Sequence, residues 1–199
     1  MGLLDRIRRL LGRRESTGDW HRAEAILEMT GGLGTMKRDL GYEPLPAAAL
    51  CFGEHDSHEF AGAVSDVRGV LAATERETGT RTTFRDDDHG FRWAVFEDDD
   101  PQDLLSNVHF TADALVQEGF GDRLLAAVFG FEKTGERAYW IYSFEHGGWY
   151  PFAPTGGDDR ETATEFRLQG VLGSELTLED DKGNWYPLWP SEPGGHPWE

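Results

Sequence analysis

RLLAAVFGFEKTGERAYWIYSFEHGGWYPF, residues 123–152, holds the longest apolar run of the chain and its two clearest reversals. Val, Ile and aromatic residues crowd 124–131 and 137–144, a composition that suits a pleated, half-buried surface, so both read as strands. Between them Glu132-Lys133-Thr134-Gly135-Glu136 is short and charged and offers a glycine for a positive-φ position, which predicts a hairpin. A second reversal at His146-Gly147-Gly148 leads into Trp149-Tyr150-Pro151-Phe152. There Pro151, which has no N–H to donate, is expected to end the ladder. The three-stranded meander so formed has an apolar face that needs a second layer.

Upstream, 46–52 (PAAALCF) is a continuous apolar run bounded by Pro and Gly, the pattern of a buried strand. Ser57 caps a predicted long helix on which Phe60, Val64, Val67, Val70 and Leu71 recur at helical spacing. Strands follow at 80–84 and 91–96 around a turn at 86–90, with Phe91, Trp93 and Val95 sharing one face. Asp100-Pro101 opens another helix, Asp as cap and Pro in the first turn, lined by Leu104, Leu105, Val108, Ala112 and Leu115. A helical preamble is expected over 20–40, capped by Asp19 and interrupted at Gly31-Gly32. Downstream of Pro154, 161–172 reads as a last helix carrying Phe166, Leu168, Val171 and Leu172, and 175–178 as a strand. Pro187, Pro190, Pro193 and Pro197 exclude regular structure beyond Leu188.

This order of elements predicts an α+β fold, an antiparallel sheet covered by helices mainly on one face, with an N-terminal amphipathic helix. By element order it resembles the type III secretion chaperone-like fold, a likeness of shape that carries no function. The expected division is a basic amphipathic helix at 1–14, a polar linker at 15–19, a single domain at 20–190 and a Pro/Gly-rich tail at 191–199.

The formal charge of −18 disfavours nucleic-acid binding, whose affinity comes mostly from neutralising phosphates. The acid lies in runs at 86–88, 97–100, 158–159 and 179–181, and Lys is scarce beside sixteen Arg. Such a surface resembles that of proteins from salt-loaded cytoplasms, where salt screens self-repulsion. The one cysteine, Cys51, excludes an internal disulfide framework and a multi-thiolate zinc site, and a reduced, cytoplasmic chain is the simplest reading. No run approaches the roughly 18 apolar residues of a membrane-spanning helix. Residues 1–14, MGLLDRIRRLLGRR, reverse the sign of the charge: Arg6, Arg8, Arg9, Arg13 and Arg14 stand against Asp5. Leu3, Leu4, Ile7, Leu10 and Leu11 fall on one helical face between them. A basic amphipathic helix of this kind lies at an anionic membrane surface, docks in a partner's groove, or packs on its own acidic domain. The first of these would place the protein peripherally at the inner face of the membrane.

Few residues invite chemistry. His55-x-x-His58 has a spacing that can chelate a metal on a helix, with His89 and Asp86-Asp87-Asp88 as further donors, and a metal-dependent enzyme using His55 and His58 is one alternative. The pair also sits at a helix start, where polar residues are expected anyway. His109 reads as a boundary residue, His146 as a turn residue and Cys51 as a buried, inert thiol. No nucleophile elbow, P-loop or dinucleotide fingerprint is present, so no enzyme and no cofactor is expected. The remaining unusual feature is an echo, Trp149-Tyr150-Pro151 and Trp185-Tyr186-Pro187. Trp149 reads as core. Trp185, Tyr186 and Trp189 read as docking aromatics, either on the domain itself or on a partner.

The amphipathic MGLLD start, the stretch from LGYEP to ALCF, DDDHGFRWAVFEDDDPQDL, and the LLAAVFGFE, AYWIYSF and GWYPFAP strings together resemble the PspA-associated family PspAB, over about residues 3–190. The resemblance implies a companion of PspA-like coiled-coil proteins of phage-shock-type membrane stress, associated with an HtpX-like membrane protease. It offers no catalytic residues. The function so expected is a non-enzymatic accessory or adaptor protein whose acidic body binds a protein partner and whose basic N-terminal helix touches membrane or partner; a chaperone-like module holding an amphipathic client helix is the other alternative.

Overall fold

The computed structural model describes residues 17–87, 90–155, 159–189, 196 and 198. The expected amphipathic helix at 1–14 lies outside them. In chain order the described elements are α1 (Thr17–Glu24), a 3-10 turn (Ala25–Glu28), α2 (Met29–Arg38), β1 (Glu43–Gly53), α3 (His58–Thr78), β2 (Arg81–Asp86), β3 (Phe91–Glu97), α4 (Pro101–Gln117), a 3-10 turn (Gly121–Arg123), β4 (Leu124–Lys133), β5 (Glu136–Ser143), β6 (Gly148–Phe152), α5 (Thr162–Leu172) and a 3-10 turn (Lys182–Asn184).

Local chemistry accounts for most of the boundaries. The Ser57 hydroxyl accepts the Phe60 amide at 3.1 Å and starts α3, which stops at Gly79 in the left-handed region. The Asp100 carboxylate accepts the Gln102 amide at 2.8 Å and starts α4, with Pro101 in the first turn. The β4–β5 hairpin is tighter than the five-residue loop expected: Lys133 pairs with Glu136, and only Thr134 and Gly135 turn the chain, at φ 50° and 83°. Two positive-φ residues make a turn whose twist matches that of the flanking strands.

The strands form one antiparallel sheet in the order β2-β3-β1-β4-β5-β6. β1 is central, with Ala49 paired to Val95 of β3 and to Val128 of β4. Its continuous apolar run follows from burial on both faces. One face carries Leu50, Phe52, Phe96, Phe129, Phe131 and Trp140, packed under the helices. The other carries Cys51, Trp93, Val95, Ile141, Tyr150 and Phe152. Among the described residues no helix lies on that second face; Trp185, Leu188, Trp189 and Trp198 cover it.

Five further expectations are corrected. α1 begins at Thr17, inside the segment read as a linker, and as an element packs on α4, so tertiary context outweighs the weak helix preference of Thr, Gly and Asp. Gly31 and Gly32 do not break the preamble but lie within α2; a Cβ on Gly32 would stand 3.0 Å from Met29 Sδ and 3.3 Å from Leu172 Cδ2, so the glycine permits close approach of α2 to α5. Pro151 does not end the ladder, since Phe152 still pairs with Tyr139. β6 is an edge strand whose Trp149 amide points outward to Thr177 O at 2.8 Å. Pro151, two residues on, has the same outward parity, so its missing N–H removes no bond to β5. The strand expected at 175–178 shrinks to a parallel bridge between Leu178 and Trp149, because the amides of Glu175 and Leu176 turn back to Leu172 O. Finally, Phe166 is 46% exposed, and the buried stripe of α5 is Glu165, Leu168 and Leu172.

Candidate functional site

The second face of the sheet brings together the most unusual chemistry of the described chain. Beneath the C-terminal segment the strands present Trp93, Tyr139, Tyr150 and Phe152. Trp185, only 5% exposed, stacks on Tyr150 with ring centroids 6.3 Å apart and planes 18° apart. Trp189 meets Phe152 edge-on at 4.9 Å. Trp198 packs against Trp93 at 5.2 Å and stacks on His196 at 4.6 Å. Tyr186, by contrast, is 55% exposed and lies beside the His146 ring. The three aromatic residues read as docking residues therefore divide: Trp185 and Trp189 face the sheet, and Tyr186 faces outward.

A polar clamp lies at the edge of this face. Glu165 is buried (2% exposed), and its carboxylate accepts from Arg160 Nε at 2.8 and 3.0 Å and from the Ala153 amide at 2.9 Å. With Nε so held, the outer guanidinium nitrogens donate to Trp185 O at 2.9 Å and to Pro151 O at 3.4 Å. The Tyr150 hydroxyl donates to Tyr186 O at 3.1 Å. Burial pushes the Tyr150 phenol well above its ordinary range, more than the Arg160 charge lowers it, so it remains a neutral donor at ordinary pH. Burial likewise pushes the Cys51 thiol far up, with Asp87 adding to the effect, which removes it as a nucleophile.

The other residues singled out have local settings. Arg6, Arg8, Arg9, Arg13 and Arg14, with Leu3, Leu4, Ile7, Leu10 and Leu11, lie outside the described residues, as does His89. The His55 ring packs near Phe60 and Phe120 at 6.2 and 5.9 Å. Among the described residues no group of three or more His, Cys, Asp or Glu is placed to hold a metal ion. His109 Nε2 lies 3.6 Å from Glu24 where α4 meets α1. The acidic run 97–100 has structural partners: Glu97 pairs with Arg81, Asp98 accepts from Thr80 Oγ1 at 2.6 Å, and Asp100 caps α4.

Arg160, Glu165, Trp198 and the hydroxyl of Tyr150 were not legible as a site. One signal exists for Glu165: it stands at i, i+3, i+7 with Leu168 and Leu172, so a carboxylate occupies the apolar stripe of a helix. Such a placement demands a buried partner. Arg160, five residues earlier, is the nearest cation before Glu165, but nothing local indicates that Trp185 returns to that pair.

No described helix is long and apolar enough to cross a membrane. Compared with known families, the chain matches PspAB, described as PspA associated protein B, over residues 1–198. No curated protein and no solved structure matches it, so the likeness to the type III secretion chaperone-like fold rests on element order alone.

Proposed function

Because this chain belongs to the PspA associated protein B family, we propose that it is a non-enzymatic accessory protein of a PspA-like membrane-stress response, whose acidic body binds a PspA-like coiled-coil partner. Its basic N-terminal segment engages that partner or an anionic membrane surface, and an HtpX-like membrane protease is a second partner in this reading. The observation that carries it is the charge contrast: five arginines and one aspartate in residues 1–14 of a chain with net charge −18. An anionic surface attracts each such arginine by about 1 kcal/mol and repels the body, so the segment would hold the surface while the body faces away. A coiled coil with basic stripes would meet the body with the opposite preference.

The test is co-sedimentation with anionic liposomes, with and without a PspA-like protein, comparing the full-length chain with a variant in which Arg6, Arg8, Arg9, Arg13 and Arg14 are changed to Glu. The expected result is that the wild type sediments and the variant does not. Sedimentation that needs the arginines but no partner identifies a membrane-surface protein; sedimentation only with the partner identifies an adaptor. A variant that retains both liposome binding and partner pull-down would sink the proposal.

A further inference from the structure

Trp185, Leu188, Trp189 and Trp198 of the C-terminal segment cover the second sheet face without joining the sheet. Among its described residues, 185–189, 196 and 198, no backbone group bonds to a strand backbone. The grip comes from side chains: Tyr150 Oη and Arg160 Nη1 donate to the consecutive carbonyls of Tyr186 and Trp185. Donors aimed at carbonyls recognise an extended backbone whatever its side chains. The Arg160 fork is oriented in advance by the buried carboxylate of Glu165, so little ordering remains when a segment binds. Alongside the clamp, Tyr150, Phe152 and Trp93 each take one tryptophan ring of the segment.

We propose that this face is a peptide-binding groove that the chain fills with its own C-terminal segment as a tethered ligand. Its external ligand is an extended partner segment with tryptophan and proline interspersed, in the manner of Trp185-Tyr186-Pro187-Leu188-Trp189-Pro190. The chemistry selects this class. The clamp asks only for acceptors, so proline, which keeps its carbonyl and lacks an N–H, costs nothing there and lowers the entropy lost on binding. An α-helix is disfavoured, because its carbonyls are already bonded within the helix and would leave Tyr150 and Arg160 without acceptors. The tether lowers apparent affinity in proportion to the fraction of chains in which the groove is open. This inference is independent of any PspA-like partner.

The test uses the full-length chain and a labelled synthetic peptide of residues 184–199, NWYPLWPSEPGGHPWE, read by fluorescence anisotropy. The wild type is expected to bind it weakly, and Trp198→Ala, which loosens the tethered segment but leaves the clamp intact, about tenfold more tightly. In the Trp198→Ala background, Tyr150→Phe removes one clamp donor and keeps the ring, and should weaken binding about fivefold. Circular dichroism establishes that each variant is folded; Trp189→Ala replaces Trp198→Ala as the opening variant if the latter is not. The proposal is overturned if folded opening variants show no saturable binding, or if Tyr150→Phe leaves their affinity unchanged. It is also overturned if the opening variants sediment as dimers without peptide, for then the occupant is the segment of a second copy.

Discussion

The two faces of one sheet are covered by different means. On the first, helices bury Trp140 and Trp149, whose indoles reach Met36 Sδ at 3.4 Å and Ala25 O at 3.3 Å. Each helix satisfies its own backbone internally, and α3 and α4 run into strands at both ends, so this part of the cover cannot leave without unfolding the domain. On the second face the described cover, Trp185, Leu188, Trp189 and Trp198, is irregular and is held by ring contacts and by side-chain hydrogen bonds that include those from Tyr150 and Arg160. An irregular segment without ladder hydrogen bonds opens at a cost below that of global unfolding. Equal burial thus conceals unequal cooperativity: Trp140 and Trp198 are both buried, but only one is locked in by the topology.

The largest expected difference is in stability. Trp140→Ala should cost about 3–5 kcal/mol in urea unfolding, the range for deleting a large aromatic from a core that cannot collapse. Trp198→Ala should cost about 2 kcal/mol or less, since irregular cover relaxes around the loss more readily than a strand does. Equal costs would break the comparison and make the C-terminal segment part of one cooperative core.

Alkaline titration sharpens it. Burial raises the Tyr142 phenol of the first face to about 12, with Glu28 adding and Arg22 subtracting, and raises Tyr150 of the second face further. Folding disfavours both phenolates, so this contribution to stability is complete below the ordinary tyrosine value of 10.0 and is lost as the pH rises through about 12. In Trp185→Ala, ring-labelled tyrosine NMR should show Tyr150 titrating closer to 10.0 while Tyr142 stays where it was. A parallel shift of both would mean that the two faces loosen together.

The smallest effect concerns Cys51, which is buried on the second face. Under native conditions its modification by a thiol reagent should be about tenfold faster in Trp198→Ala than in the wild type, through local opening. Val108→Ala, which destabilises the helical face, should leave the rate nearly unchanged. If labelling instead follows global stability in both variants, the second face does not open on its own.

Legibility in the sequence followed the same division. The helices over the first face announce themselves through period and caps: Ser57 before Phe60, Val64 and Val67, and Asp100-Pro101 before Leu104, Leu105 and Val108. Those signals lie within a few residues of one another, and the structure forms helices in both places. The second face has no comparable signal, because its cover has no period. The repeated Trp-Tyr-Pro unit drew attention to Trp185, Tyr186 and Trp189 and left open whether their surface is the domain or a partner. The reach of Arg160 to Trp185 O and the contact of Trp198 with Trp93 have no signal in the sequence, since they join residues that approach only in the folded domain.

From its sequence alone the chain determines an α+β architecture, the central meander, the opposed charge of residues 1–14 and the body, and the strings that mark its family. Those properties are local or compositional, set by side-chain period, turn chemistry and counted charge. The tertiary structure alone decided that β1 lies between β3 and β4, that Gly32 lets α2 approach α5, and that the C-terminal tryptophans close the second face over Tyr150, Phe152 and Trp93. Each depends on contacts between residues far apart in the chain, and no local pattern encodes which distant surface an irregular aromatic segment will bury.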